Sequence, residues 1–259
     1  MAAALAAASP SQRVLRGTAT VGIAVLTLGL LWEAAIVGFK LPAYIVPTPM
    51  SVLLAFGEHR DTLLRQAGLT LGAGAIGLLL STALAIALSI AFVTSRLTMQ
   101  ATMPLVLTFR SLPVVAIAPI VMLLVGRGIG TSIVVVVIIS FFPLLVNLLR
   151  GLAAIDRNTI ELLRVYGATR TQQLRFLRIP FALPFLFTGL RIAAANALLG
   201  AMLSEWITGT KGLGYLILRA GELRELEQLW CAVLTAVAIA LVVFRLTAAG
   251  ERALTSWRR

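Results

Sequence analysis

The chain has 259 residues, of which 59% are hydrophobic and only 12% charged, with a mean hydropathy of +0.99. Soluble domains run about 45–50% apolar and about 25% charged, so this composition excludes a water-facing fold and makes the bilayer the solvent. The net charge of +12 does not call for a nucleic-acid partner, because the basic residues sit in short segments between apolar runs, as in polytopic membrane proteins.

Residues 1–17, Ala-rich and then polar with Arg13 and Arg16, are expected to form an unstructured cytoplasmic tail. Residues 18–39 read as a first span, longer than the 7–15 apolar residues of a signal peptide. Residues 40–64 form a loop broken by Pro42, Pro47 and Pro49, with Thr48 and Pro49 as N-cap and first residue of a short helix through Phe56. A lone histidine, His59, lies in that loop, where a solvated ring is expected. The second span covers 66–94, and Gly68, Gly72 and Ala75 mark a small face for close helix approach. The third covers 101–125 and contains Pro104, Pro113 and Pro119, so a bent helix is expected. Gly126 to Gly130 is a tight turn, and 131–149 the fourth span.

The stretch 151–180 is the long polar segment in the middle of the chain. Six arginines, at 150, 157, 164, 170, 175 and 178, face two acids, Asp156 and Glu161. It reads as two short helices joined at Gly167, which enters the left-handed region without steric cost. Either Asp156 caps the first helix, or Asn158 does so with Glu161 three residues on. Pro180 opens the next apolar run. The fifth span, 181–207, carries Gly189, Ala193, Ala197 and Ala201 at steps of four, with Asn196, Gly200 and Ser204 beside them and Glu205 at their end. A glycine-rich loop, 208–226, leads to the sixth span, 228–248, and a basic end, 251–259. Six spans place both termini on one side. With that side cytoplasmic, fifteen basic residues lie inside and seven outside, which matches the positive-inside bias.

The pattern Glu161-x5-Gly167-x11-Ile179-Pro180 resembles the cytoplasmic "EAA" loop of permease subunits of ABC importers. Trp32-Glu33, Leu41-Pro42 with Pro47-Thr48-Pro49, Arg110-Ser111-Leu112-Pro113, Phe142-Pro143 with Asn147, Thr188-Gly189-Leu190-Arg191, and Ser204-Glu205 followed by Gly212-Leu213-Gly214-Tyr215 resemble the nitrate/sulfonate/taurine branch of that superfamily. The resemblance implies an all-α polytopic protein with six transmembrane helices and the type I ABC importer permease fold. It implies a tail at 1–17, a transmembrane permease domain at 18–250 holding a coupling loop at 151–180, and a tail at 251–259, with both tails cytoplasmic. It further implies an inner-membrane, multi-pass subunit that works as a homodimer with a second permease copy. A cytoplasmic ABC ATPase dimer would bind the ATP and magnesium, and an extracytoplasmic solute-binding protein would deliver the solute. That solute is expected to be a small anion such as a sulfonate, taurine or nitrate, although relatives also carry neutral or cationic vitamin precursors.

No catalytic constellation accompanies these motifs, and one histidine and one cysteine, Cys231, make no metal site or internal disulfide. Gly209 to Gly214 lacks the Gly-Lys-Ser/Thr order of a phosphate loop, so the chain is expected to hydrolyse no ATP and to need no cofactor of its own. By the resemblance, Glu161, Gly167, Ala168, Thr169, Arg170, Thr171 and Pro180 form the ATPase-coupling site. Glu161 either braces the loop or meets the ATPase. The family often has Ala-Ala where this chain has Leu162-Leu163, and a bulky residue where it has Thr171. Ionisable groups in spans are costly and default to function. Arg110 and Glu205, with Ser111, Asn196 and Ser204, are therefore candidates for the translocation path, whereas Arg191 and Arg245 are expected to reach headgroups.

Overall fold

The structure is a computed structural model that describes residues 10–42, 44–111 and 113–254; the side chains of residues 10–21, 24, 25, 109–111 and 254 fall outside the description. The ends of the two expected tails, 1–9 and 255–259, lie outside it as well. Every regular element among the described residues is helical: α1 (Pro10–Gly38), α2 (Pro49–Glu58), α3 (Arg60–Thr94), α4 (Arg96–Ser111), α5 (Val114–Val125), α6 (Ile129–Ala153), α7 (Arg157–Val165), α8 (Arg170–Gln172), α9 (Ile179–Thr208), α10 (Leu213–Glu222) and α11 (Leu226–Leu254). A π-helical turn, Gln173–Arg178, joins α8 to α9. Among the described residues, four helical runs are long and apolar enough to cross a membrane: Arg60–Thr94, Ile129–Ala153, Arg170–Thr208 and Leu226–Ala253. They coincide with the expected second, fourth, fifth and sixth spans. The first expected span falls in α1, which begins at Pro10, inside the segment expected as tail.

The third expected span departs from a single bent helix. It is two helices, α4 and α5, and Pro113 is the extended residue (φ −63°, ψ 124°) that opens the second. Proline removes a backbone donor and disfavours helix in the residue before it, so the chain breaks there. Pro104 and Pro119 are tolerated inside α4 and α5. The 208–226 segment departs too, because it contains α10. Its buried Leu213, Leu216 and Ala220 follow helical spacing, a signal present in the sequence.

The chain divides into two compact units. The smaller comprises Met1–Arg60 and Ala220–Cys231. Within it, Thr48 caps α2 through Ser51 N–H at 3.2 Å, with Pro49 behind it as expected. The Cys231 thiol donates to the Val52 carbonyl at 3.3 Å. The rings of Trp32 and Trp230 lie 4.6 Å apart, tilted by 38°. His59 is not merely solvated, since its Nδ1 lies 3.2 Å from Gln228 Nε2.

The larger unit, Asp61–Arg219 with Ala232–Arg259, is built on α3, α6 and α9. The α6–α9 contact is its most extensive. Gly189 sits against Asn147 and the Pro143 carbonyl, and Gly200 against Ile139. Ala193, Ala197 and Ala201 are buried between them, as the four-residue step predicted. In lipid, helix association rests on this kind of backbone approach and on interhelical hydrogen bonds. Two such bonds cross the seam: Ser140 Oγ donates to the Ala193 carbonyl and Ser132 Oγ to Ser204 Oγ, each at 3.2 Å.

On α3 the expected small face is displaced. A Cβ at Gly68 or Gly72 would meet nothing within 4 Å. The buried line is instead Ala67, Thr70, Ala73, Gly74, Gly77, Ser81, Ala85, Ser89 and Phe92. Its tightest point is Gly77, where a Cβ would lie 2.5 Å from Val136 Cγ1 and 3.0 Å from the Ile133 carbonyl oxygen. Gly77→Ala is therefore expected to lower the thermal stability of the detergent-solubilised chain by about 1–3 kcal/mol through overpacking. Gly72→Ala should be neutral or stabilising by up to about 1 kcal/mol. Thermal unfolding of both variants checks this ordering, and equal midpoints would show that α3 and α6 are not in contact at Gly77.

Candidate functional site

Two places in the larger unit concentrate the functional candidates, one at each end of α9. At its N-terminal end lies the polar stretch 156–180. Of the two possible caps, the structure uses Asp156. Its carboxylate accepts from Thr159 N–H at 3.0 Å and from the Thr159 hydroxyl at 2.5 Å. The hydroxyl bond, more than any other contact, holds the Asp156 carboxyl below its ordinary pKa. Glu161 is not a capping partner. It pairs with Arg157 one turn earlier at 3.0 Å on an exposed face, a pair worth under about 1 kcal/mol.

Gly167 ends α7 in the left-handed region (φ 78°). Its N–H reaches the Arg164 carbonyl and Ala168 N–H the Leu163 carbonyl, both at 2.9 Å. This double closure satisfies the last carbonyls of α7. Thr169 then starts α8 with a capping box. Its hydroxyl accepts from Gln172 N–H at 3.2 Å and Gln172 Oε1 from Thr169 N–H at 2.8 Å. Sequence reasoning passed over this cap although Thr-x-x-Gln is its signature. Thr171 is exposed.

Pro180 is the second residue of α9 and opens the apolar run as expected, but no break precedes it. It lies in an unbroken helical run, Arg170–Thr208. The π-helical turn just before it widens the backbone where a proline ring and a missing N–H would otherwise clash with an α-helical ladder. Two bonds fix this bend. Buried Gln173 donates Nε2 to the Ala168 carbonyl at 2.9 Å. Arg178 Nη1 donates to the Leu152 carbonyl in the last turn of α6 at 3.0 Å, filling an orphan acceptor. The outcome is an elbow with an apolar edge left uncovered: Leu162, Val165, Tyr166 and Phe176 are 56%, 84%, 80% and 71% exposed. A shallow hollow of about 380 Å3 runs beneath it between Leu163, Gly167, Ala168 and Leu177.

At the other end of α9, Glu205 is only 3% exposed. Its Oε2 accepts from the Thr70 hydroxyl at 2.9 Å and from Gly214 N–H at 3.0 Å. Thr70 Oγ1 in turn accepts from Leu213 N–H at 2.8 Å, and Gln66 Oε1 from Gly212 N–H at 2.7 Å. A carboxylate and two α3 side chains thus satisfy the amides that begin α10, where negative charge is favoured. The approach is close enough that a Cβ on Gly212 would strike the Glu205 carboxylate, and one on Gly214 the Met202 carbonyl. This is the physical reason for glycine at both positions. Glu205 also borders a cleft of about 420 Å3, with Ser132, Arg127 and Lys211 in its wall.

Of the other path candidates, Ser204 adjoins the cleft through its bond with Ser132. Ser204 is buried in the α6–α9 seam, and Asn196 is half-buried further along α9. The side chains of Arg110 and Ser111 lie outside the described residues. Arg191, expected at headgroups, instead forms an ion pair with Glu251 of α11 and lies 5.6 Å from the Phe244 ring.

Residues 83–256 match the family model of the binding-protein-dependent transport system inner membrane component. The chain is 34% identical to the riboflavin transport system permease protein RibX of Chloroflexus aurantiacus, over 91% of this chain and 88% of that one. It is 35% identical to the formylaminopyrimidine transport permease protein ThiX of Halalkalibacterium halodurans, over 73% and 76%. It is 25% identical to the putative aliphatic sulfonates transport permease protein SsuC of Bacillus subtilis, over 83% and 79%. Its fold superposes on a chain of the MetNI methionine ABC transporter in an inward-facing conformation with a TM-score of 0.67 at 20% identity, covering 76% of this chain and 98% of that one.

The geometry around Glu205 makes it a brace for α10. Glu205→Ala strands the Gly214 amide and one bond of Thr70, and is expected to cost about 2–4 kcal/mol of stability. Glu205→Gln, which keeps an acceptor, should cost less than half as much. Thermal unfolding reads the difference. An alanine variant as stable as the parent would show that these bonds do not hold the turn.

Proposed function

The chain belongs to the family of binding-protein-dependent transport inner membrane components and is a permease subunit of an ABC importer, and from that membership we propose that its 156–180 elbow receives the stroke of a separate ATPase. The observation that carries this reading is the exposed apolar edge of Leu162, Val165, Tyr166 and Phe176. It sits on a polar segment capped at both helices: Leu162, Val165 and Tyr166 precede the run Arg170–Thr208, and Phe176 lies in its polar first turns. An uncovered edge of that kind, rimmed by charge, is a docking surface. Gly167, Ala168, Thr169, Arg170 and Thr171 form its crest, and Pro180 lies where the elbow passes into α9. Glu161 stiffens α7 through Arg157 rather than presenting its charge to the partner. The elbow faces the cytoplasm in this reading, as the distribution of arginine and lysine requires.

The stroke has a physical route. Arg170 to Thr208 is a single helical run of 39 residues, roughly 58 Å at 1.5 Å per residue. One end is the elbow, fastened to α6 through Arg178; the other is Glu205, fastened to the start of α10. Displacing the elbow therefore tilts the run as a rod and moves the α10 turn with it. Two copies of the chain, closed and opened by an ATPase dimer, would expose the path alternately to either side, and an extracytoplasmic binding protein would load it. Of the path candidates, Glu205 has the clearest support, since it borders the cleft with Ser132, Arg127 and Lys211. Arg110, Ser111, Asn196 and Ser204 are carried as path residues by the motif resemblance.

For the solute, greater identity to the permeases named for riboflavin and formylaminopyrimidine than to the one named for aliphatic sulfonates favours a small nitrogen-heterocyclic, vitamin-type molecule over the sulfonate, taurine or nitrate class. Uptake into proteoliposomes holding permease, ATPase and binding protein distinguishes them: riboflavin or a formylaminopyrimidine should compete for transport, and taurine should not.

Val165→Asp with Tyr166→Asp tests the elbow. Both positions are exposed, so the thermal midpoint of the isolated permease should not change. Capture of the ATPase subunit from solubilised membranes should weaken at least about tenfold, as expected for loss of interface anchors. Undiminished capture would remove the elbow as the docking surface.

A further inference from the structure

The six arginines around the elbow are more than docking needs, and three of them surround one small pocket. Arg164 of α7, Arg170 of α8 and Arg178 of the π-helical turn line a space of about 180 Å3 together with Gln173, Leu174 and the last two residues of α3, Val93 and Thr94. No carboxylate is among its lining residues. The two acids of the segment are engaged elsewhere, Asp156 with Thr159 and Glu161 with Arg157. Arg178 spends one nitrogen on the Leu152 carbonyl, which points its guanidinium by a bond from outside the pocket. Arg175 is not among the lining residues and lies 5.7 Å from the Phe176 ring.

Three arginines lining one space repel each other, Arg164 and Arg170 being exposed and Arg178 partly buried, and the carbonyl end of α3 offers only about half a negative charge. An anion completes the arrangement. Arginine forks match the oxygens of phosphate two at a time. The volume is below the roughly 300–1,000 Å3 of pockets that take whole small molecules, so it suits a phosphate group and not a nucleotide. The pocket lies where a spanning helix of 35 residues ends, at the boundary between hydrocarbon and water. Basic pockets at that depth take anionic headgroups.

We propose that Arg164, Arg170 and Arg178 form a binding site for a phosphate anion, supplied by an anionic phospholipid headgroup or by free phosphate, wedged between α3 and the elbow. The bound group bridges α7 and α8 across the Gly167 turn and so sets the stiffness of the elbow. The binding does not depend on the coupling role of the elbow; only its consequence for transport rests on that reading.

The test is native mass spectrometry of the full-length, delipidated chain, titrated with phosphatidylglycerol, with phosphatidylcholine as the same phosphate carrying a compensating charge, and with inorganic phosphate as competitor. Wild type should prefer phosphatidylglycerol, and Arg164→Gln and Arg170→Gln should each weaken that preference about fivefold, the effect of one basic residue near an anionic lipid. Arg157→Gln, on the same elbow but outside the pocket, should leave it unchanged, and Arg170→Lys should restore part of it. Loss of the preference without competition by millimolar inorganic phosphate assigns the site to lipid; displacement by phosphate assigns it to the free anion. Equal retention of both lipids by wild type with no phosphate binding overturns the proposal. So does full phosphatidylglycerol preference in either glutamine variant.

Discussion

The close approach of α6 and α9 is the contact on which the rest of the larger unit depends. Lipid offers no hydrophobic reward for bringing two apolar helices together, so the association must come from packing and from hydrogen bonds that lipid cannot provide. The sequence supplies both at one seam. Gly189, Ala193, Ala197, Gly200 and Ala201 remove side-chain bulk, while Ser132, Ser140 and Ser204 place hydroxyls where each finds a partner on the facing helix. With the seam closed, Arg178 can reach the final turn of α6 and Glu205 is held at a fixed height beside α3. Both functional ends of α9 are thus set by the same contact.

A charge inside this fold is tolerated because its surroundings were built to accept it. Removing a carboxylate from water is expensive unless its lone pairs are met. Glu205 meets a hydroxyl and a backbone amide at the start of a helix, which is where an anion is best placed. Arg191 solves the same problem with a carboxylate on α11 and an aromatic face. Intramembrane ionisable residues are commonly read as signs of a solute path. Here Glu205 and Arg191 each have a structural partner, so the first task of these two is to join elements. The cleft beside Glu205 shows that joining and lining are compatible: one carboxylate can brace a turn and border a passage.

Much of the elbow was legible in advance. The stop at Gly167 and the first helix follow from capping preferences that act over three or four residues, and the fold bears them out; between Asp156 and Asn158 as cap the structure decides for Asp156, and the second short helix is the start of the run Arg170–Thr208. The Thr169–Gln172 box and the helix at Leu213–Glu222 were equally local and were passed over. The small face of α3 was a different kind of error. Gly68 and Gly72 are as small as Gly77, and composition alone cannot say which of several small stripes meets a neighbour. Nor could spacing show that Pro180 would continue a helix, because the widened turn that accommodates it is held by Gln173 and Arg178 reaching to residues on other turns and another helix.

What the sequence by itself determined was the solvent, the helical class, the positions of the long spans, the charge asymmetry and the capped turn at Gly167. All of these arise from composition or from interactions within a few residues along the chain. The tertiary structure alone decided that Glu205 caps α10 through Thr70 and Gly214, and that Gly77 rather than Gly72 is the tight point of α3. It also decided that Arg191 pairs with Glu251, and that three of six arginines share a pocket with the end of α3. Each of these joins residues on different helices. The rotation of one helix against another is fixed by the fit of whole faces, and no periodicity within either helix encodes it.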